Sequence, residues 1–119
     1  NVDLGLLARA YTALTGIELS GEQLYASGER AYNLEKAFNS RLGLRRKDDI
    51  LCERWMKEPV KEGPGKGMKA EDWFDGLLDE YYEYHGWDKE TSLQRRAKLE
   101  ALDMGEVLEV LEKEGAVIG

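Results

Sequence analysis

The sequence is poor in the residues that carry chemistry. It has one cysteine and one histidine among its 119 residues. A single cysteine excludes a disulfide framework and a cysteine-only zinc site within the chain. A single histidine excludes a histidine-rich metal site. No apolar run approaches the ~20 residues needed to cross a bilayer, so no membrane association is expected. There is no initiating methionine and no signal-peptide pattern, which points to the cytoplasm. The chain enters a helical pattern almost at once, and the expectation is a piece of something longer. It holds only two prolines, both within residues 59–69. What is present is a composition able to fold: 42% apolar and 34% charged residues, in a length that suits one domain.

Charge is segregated. The net charge is -7. Residues 1–43 contribute -1, residues 44–69 contribute +3 and residues 70–119 contribute -9. An acidic chain is a poor phosphate neutraliser, so nucleic acid is not an expected partner. The basic run Arg45-Arg46-Lys47 leads straight into Asp48-Asp49. That favours an internal ion-pair cluster. The acidic last third reads as solvated helix surface.

The apolar spacing is helical almost throughout, and no strand pattern of useful length occurs. Asp3 can cap a first helix carrying Leu4, Leu7, Tyr11 and Leu14, ended by Thr15-Gly16. Ser20 with Gln23 forms a capping-box signature for a long second helix. Leu24, Ala31, Leu34, Phe38 and Leu42 would be its buried stripe, with Gly28 allowing close approach of another helix and Gly43 closing the end. Asp48 or Asp49 can cap a short helix bearing Ile50, Leu51, Trp55 and Met56, stopped by Pro59. Residues 59–69 form a Gly/Pro loop. A helix from about Ala70 to His85 shows a broad aromatic face, Trp73 to Tyr82, with Gly86 at its end. Helices near 93–102 and 104–114 complete the pattern. The fold class expected is all-α, an irregular bundle of about five to six helices forming one domain over residues 1–119.

No constellation suggests a self-contained active site. Cys52 reads as a small buried apolar residue. His85, beside Gly86, reads as a partner of the last helix carbonyls. Nothing links the two as a dyad. Asp48 and Asp49 lie among Arg45, Arg46, Lys47 and Arg54, which would hold them ionised and make them poor general acids. Residues 63–67, GPGKG, lack the spacing and the following Ser or Thr of a phosphate loop. No catalytic, cofactor-binding or metal-ligating residue is assigned.

A resemblance is carried by residues 28–54, GERAYNLEKAFNSRLGLRRKDDILCER. Gly28-Glu29-Arg30, Asn33-Leu34-Glu35, Phe38-Asn39, Arg41, Gly43, Arg46, Asp48-Asp49, Leu51 and Arg54 resemble the carboxy-terminal region of the tungsten-containing aldehyde ferredoxin oxidoreductase family. Thr15-Gly16, Glu58-Pro59, Gly63-Pro64, Gly67, residues 78–82 and Gly86-Trp87-Asp88 are similar to its flanking turns. The resemblance implies a carboxy-terminal helical fragment of an enzyme that oxidises aldehydes to carboxylic acids and passes electrons to ferredoxin. The parent's tungsten (or molybdenum) bis-pterin and four-iron cluster would be held elsewhere, with none in this fragment. Its partners would be the remaining domains of the same enzyme. Alone, it should be catalytically inactive and prone to self-association through uncovered apolar surface. The family commonly has Pro where this chain has Cys52, so Cys52 is not promoted to a cluster ligand.

The motif residues Arg30, Asn33, Glu35, Asn39, Arg41, Arg46, Asp48, Asp49 and Arg54 are expected to hold the fold, or to shape a channel in the intact enzyme. Their charged members are expected to satisfy one another where two helices and a connecting segment meet. The alternative function is a stand-alone helical interaction module without catalysis.

Overall fold

Asp3 begins the first helix by accepting a hydrogen bond from the backbone N–H of Leu6 at 3.0 Å. In the computed structural model, which describes residues 2–119, α1 runs Leu4–Thr15 and ends at Gly16 in the left-handed conformation. The capping box then forms as expected. Gln23 N–H donates to Ser20 Oγ, and Ser20 N–H donates to Gln23 Oε1. This starts α2, Gly21–Arg41. α3 is Glu53–Lys57, α4 Phe74–His85, α5 Arg96–Ala101 and α6 Gly105–Lys113. Single 3-10 turns occupy Arg46–Asp48 and Ala70–Asp72. No sheet forms among the described residues. Isolated bridges join Trp87 with Gln94 and Arg95 with Ile118. The second of these orders the tail, since Ile118 N–H donates to the Gln94 carbonyl at 3.0 Å.

The apolar core lies at the carboxy-terminal end. Ala37 of α2 packs with Leu93, Leu99 and Leu102 around α5 and with Met104, Leu108, Leu111 and Ala116 around α6. Val107, Val117 and Ile118 pack against it, half-buried. By contrast, α1 touches little except the start of α2. There a Cβ on Gly21 would meet Leu4 and Gly5 backbone atoms at 3.2 Å, so glycine lets the helices cross without the backbone giving way. Ala8 is the only buried residue of α1.

Several expectations change. The close approach expected at Gly28 occurs at Gly21; nothing lies within 4 Å of a side chain built at Gly28. The predicted stripe of α2 faces outward, with Leu34, Phe38 and Leu42 exposed at 54%, 61% and 65%. The buried face is instead Asn33, Lys36, Ala37 and Ser40. Most of the α1 stripe is likewise uncovered, including Leu7, Tyr11 and Leu14. Neither Asp48 nor Asp49 caps α3. Asp48 accepts the Arg45 N–H at 2.9 Å and is spent on its own 3-10 turn. The helix expected from Ala70 starts at Phe74, after a separate turn, and α5 starts at Arg96. Cys52 is exposed.

The chain is spread out. Its radius of gyration is 18.1 Å over extents of 52 × 40 × 19 Å, where a compact chain of this length gives about 13–14 Å. Its accessible surface is 8549 Å². A compact protein of 13.5 kDa has about 6,500 Å².

Candidate functional site

The inner face of α2 is polar, and each of its buried polar residues needs a partner. Asn33 is fully buried. Its Nδ2 donates to the Glu29 carbonyl one turn back at 3.0 Å. Its Oδ1 accepts from Trp87 Nε1 at 3.0 Å and from Gln94 Nε2 at 2.9 Å. Gln94 Nε2 also reaches the Asn33 carbonyl at 2.8 Å. One amide side chain thus fixes the segment after α4 and the bridge residue Gln94 to α2.

One turn further, Lys36 is 9% exposed. Its Nζ donates to Ser92 Oγ at 3.0 Å, stands 4.0 Å from Asp49 Oδ2 and lies 4.8 Å from the Trp87 ring centre. Burial lowers the Lys36 pKa, and the Asp49 carboxylate partly offsets this. Asp49 also accepts a hydrogen bond from the Tyr82 hydroxyl. Burial first, then that bond to a carboxylate, pushes the Tyr82 hydroxyl well above the usual tyrosine range. Ser92 has φ of 66°, the left-handed region that disfavours residues other than glycine. The turn holding it is tied by Ser92 N–H to the Asp88 carbonyl at 2.8 Å. Thr91 N–H and Oγ1 both donate to Asp88 Oδ2. These Thr91 bonds hold the Asp88 carboxyl below its ordinary range.

Beside this knot opens a cleft of about 340 Å³. Glu35, Lys36, Asn39 and Asp49 supply its polar lining, against apolar walls that include Phe74 and Leu78. A second cluster sits at the far end of α4. The His85 ring stacks on Trp87, with ring centres 5.0 Å apart, and meets Tyr81 edge-on at 4.5 Å. His85 Nδ1 is buried without a hydrogen-bond partner among the described residues. It therefore does not serve the helix carbonyls as expected. Burial lowers its pKa, Glu29 at 3.9 Å opposes this and Lys98 adds to it. Lys98 itself donates to Glu29 at 2.5 Å.

The motif residues are only partly brought together. Glu35, Asn39 and Asp49 share the cleft, and Asn33 anchors the knot beside it. The expected mutual ion network does not form, because each charged partner comes from another element or from the same helix turn. Arg41 pairs with Glu114 beyond α6. Arg46 pairs with Asp79 of α4 at 2.5 Å and donates to the Lys89 carbonyl at 2.7 Å. Arg54 pairs with Glu58 along α3, and Arg30 donates to Ser27. Sequence reasoning missed Lys36, Tyr82, Trp87, Ser92 and Gln94. A signal existed on α2: residues 29, 33, 36 and 40 are polar at helical spacing, opposite the apolar stripe.

The donors needed for a metal centre are not assembled. Among the described residues no group of three or more His, Cys, Asp and Glu side chains could hold a metal ion, and the single thiol lies alone and exposed. One thiol cannot supply the cysteine ligands of an iron–sulfur cluster. No described helix is long and apolar enough to cross a membrane.

Residues 1–104 match the family model described as aldehyde ferredoxin oxidoreductase, domains 2 & 3. The tungsten-containing aldehyde ferredoxin oxidoreductase of Thermococcus kodakarensis is 36% identical over 97 residues, which cover 81% of this chain and 16% of that protein. That of Pyrococcus furiosus is 35% identical over 95 residues, covering 79% and 15%. That of Pyrococcus horikoshii is 34% identical over 109 residues, covering 87% and 18%. The chain spans about a sixth of the length of these curated relatives.

Proposed function

Because the chain belongs to the aldehyde ferredoxin oxidoreductase family, we propose that residues 1–119 form one carboxy-terminal helical domain of a tungsten-containing enzyme that oxidises aldehydes to carboxylic acids. The parent passes the electrons to ferredoxin and works in the cytoplasm. Its bis-pterin metal and four-iron cluster are held by the other domains. This domain supplies no ligand and no reacting group, and alone it is inactive. Arg30, Asn33, Glu35, Asn39, Arg41, Arg46, Asp48, Asp49 and Arg54 act as framework. Asn33 ties α2 to the turn at 88–94, Arg46 and Asp49 tie the segment after α2 to α4, and Arg41 reaches Glu114 beyond α6.

The observation that carries the reading is the surface. The chain exposes about 2,000 Å² more than a compact protein of its mass, while buried hydrogen bonds join Asn33 and Lys36 to Trp87, Ser92 and Gln94. A framework with one finished face and one bare face suits a domain cut from its neighbours.

The test compares the intact polypeptide with the 119-residue chain for tungsten, iron and dye-linked aldehyde oxidation. The intact protein is expected to hold both metals and to turn over, and the short chain to be colourless and silent. Stoichiometric iron–sulfur absorbance in the short chain would overturn the reading. A reading frame that starts near Asn1 would favour a stand-alone interaction module.

A further inference from the structure

A surface helix usually buries its apolar face against the core and turns its polar face to water. α2 does the reverse. It turns Asn33, Lys36 and Ser40 inward and leaves Leu34, Phe38 and Leu42 outward. The inward residues are not misplaced, because Asn33 and Lys36 bond specific partners 54 to 61 residues away. The register of α2 is therefore fixed, and Leu34, Phe38 and Leu42 are left more than half exposed by the described residues.

That stripe borders a groove of about 460 Å³ between α2 and α6, floored by Leu34, Phe38, Val107 and Val110. Arg41 at its edge is already paired with Glu114. Glu106 lines it as well, so the groove offers mainly apolar contact with one further carboxylate in its lining.

We infer that the Leu34–Phe38–Leu42 face of α2, with the groove against α6, is the seat of an apolar segment from the other domains of the parent polypeptide. α2 is then a central helix, covered on both sides. The inference rests on the proposed function and adds which face is covered. Two observations choose this occupant. The surplus surface of about 2,000 Å², counted over the whole chain, leaves room for contacts of more than the ~800 Å² per partner of a standard interface, and Leu34, Phe38 and Leu42 are among its most exposed apolar residues. The chain also makes up only about a sixth of its relatives' length, so most of such a protein is available to cover it.

The experiment uses the intact polypeptide with Cys52→Ser and either Phe38→Cys or Lys66→Cys. Maleimide labelling is read residue by residue by peptide mass spectrometry, in native and urea-unfolded protein. Lys66 lies exposed in the Gly/Pro loop and serves as the solvent reference. Native F38C is expected to react at least about tenfold more slowly than K66C, with equal rates in urea, as protection by a covering layer requires. Equal native rates would overturn the inference. Protection that vanishes on dilution would also overturn it, assigning the face to a second copy. The proposed function fails separately, if the intact polypeptide carries neither tungsten nor iron.

Discussion

The indole of Trp87 and the side-chain amide of Asn33 meet in a buried hydrogen bond, Nε1 to Oδ1 at 3.0 Å, across 54 residues of sequence. Asn33 belongs to the motif shared with the family, and Trp87 to the turn after α4. The bond explains why an uncharged amide sits on the inner face of a long helix. Oδ1 accepts from two side chains at once, which an apolar residue cannot do.

Replacing that amide should be costly. Asn33→Ala leaves the Trp87 N–H without an acceptor in a site closed to water, while Gln94 Nε2 loses Oδ1 but keeps the residue 33 carbonyl. A loss of about 1–3 kcal/mol is expected from the orphaned indole donor, read as a lower urea midpoint. A change below ~1 kcal/mol would show that water replaces the amide there.

Two of the motif arginines should differ sharply. Arg46 is largely covered and joins Asp79, Asp75 and the Lys89 carbonyl. Arg46→Ala should cost about 1–3 kcal/mol, and Arg46→Lys should recover little of it, since an ammonium cannot fork between these acceptors. Arg54 makes an exposed pair with Glu58 within α3. Arg54→Ala should change stability by less than about 0.5 kcal/mol. Equal effects in urea titrations would contradict this ranking.

Ser92 combines a strained backbone with a needed hydroxyl. Ser92→Ala keeps the strain and removes the oxygen that Lys36 bonds. Ser92→Gly removes the same oxygen but relieves the backbone. The glycine variant should therefore be the more stable of the two by about 1 kcal/mol. The opposite order in thermal melts would mean that the turn gains nothing from left-handed freedom.

His85 sets a pH dependence. Burial holds its folded pKa below the ordinary histidine value of 6.5. Between that lowered value and 6.5 the unfolded chain binds a proton that the folded chain does not. Stability from this group therefore rises with pH through that window and levels off above it. Below the lowered value the full penalty is present. Glu29 and Lys98 face the ring and oppose one another. The wild-type curve minus that of His85→Phe should rise with pH below 6.5 and be level above. A flat difference would remove His85 from the account.

Much of the fold is legible in the sequence where the signal is local. Asp3 and the Ser20–Gln23 pair mark the starts of α1 and α2, because caps bond within three residues. Gly16 and Gly86 mark the ends of α1 and α4 by the same local logic. Which way α2 faces is not legible. Its apolar stripe outweighs its polar one by pattern, yet the polar one is buried by Trp87, Ser92 and Gln94, which no spacing rule connects to it. The start of α3 is missed for a different reason: Asp48 caps the nearer turn, so it is unavailable as a cap for α3. The partners of Arg41 and Arg46, Glu114 and Asp79, are likewise supplied by distant segments that the fold brings near, whereas Arg54 takes Glu58 one helical turn on.

The 19 Å dimension has one more implication. A helix with its side chains is about 10 Å across, so the molecule is two helices deep and has no third layer. A single helix lifting away would wet the Asn33 amide. Backbone amide exchange along α2 in the intact protein should therefore follow the opening of whatever lies over it, and the slowest of these amides would serve as a clock for how often the surrounding domains part.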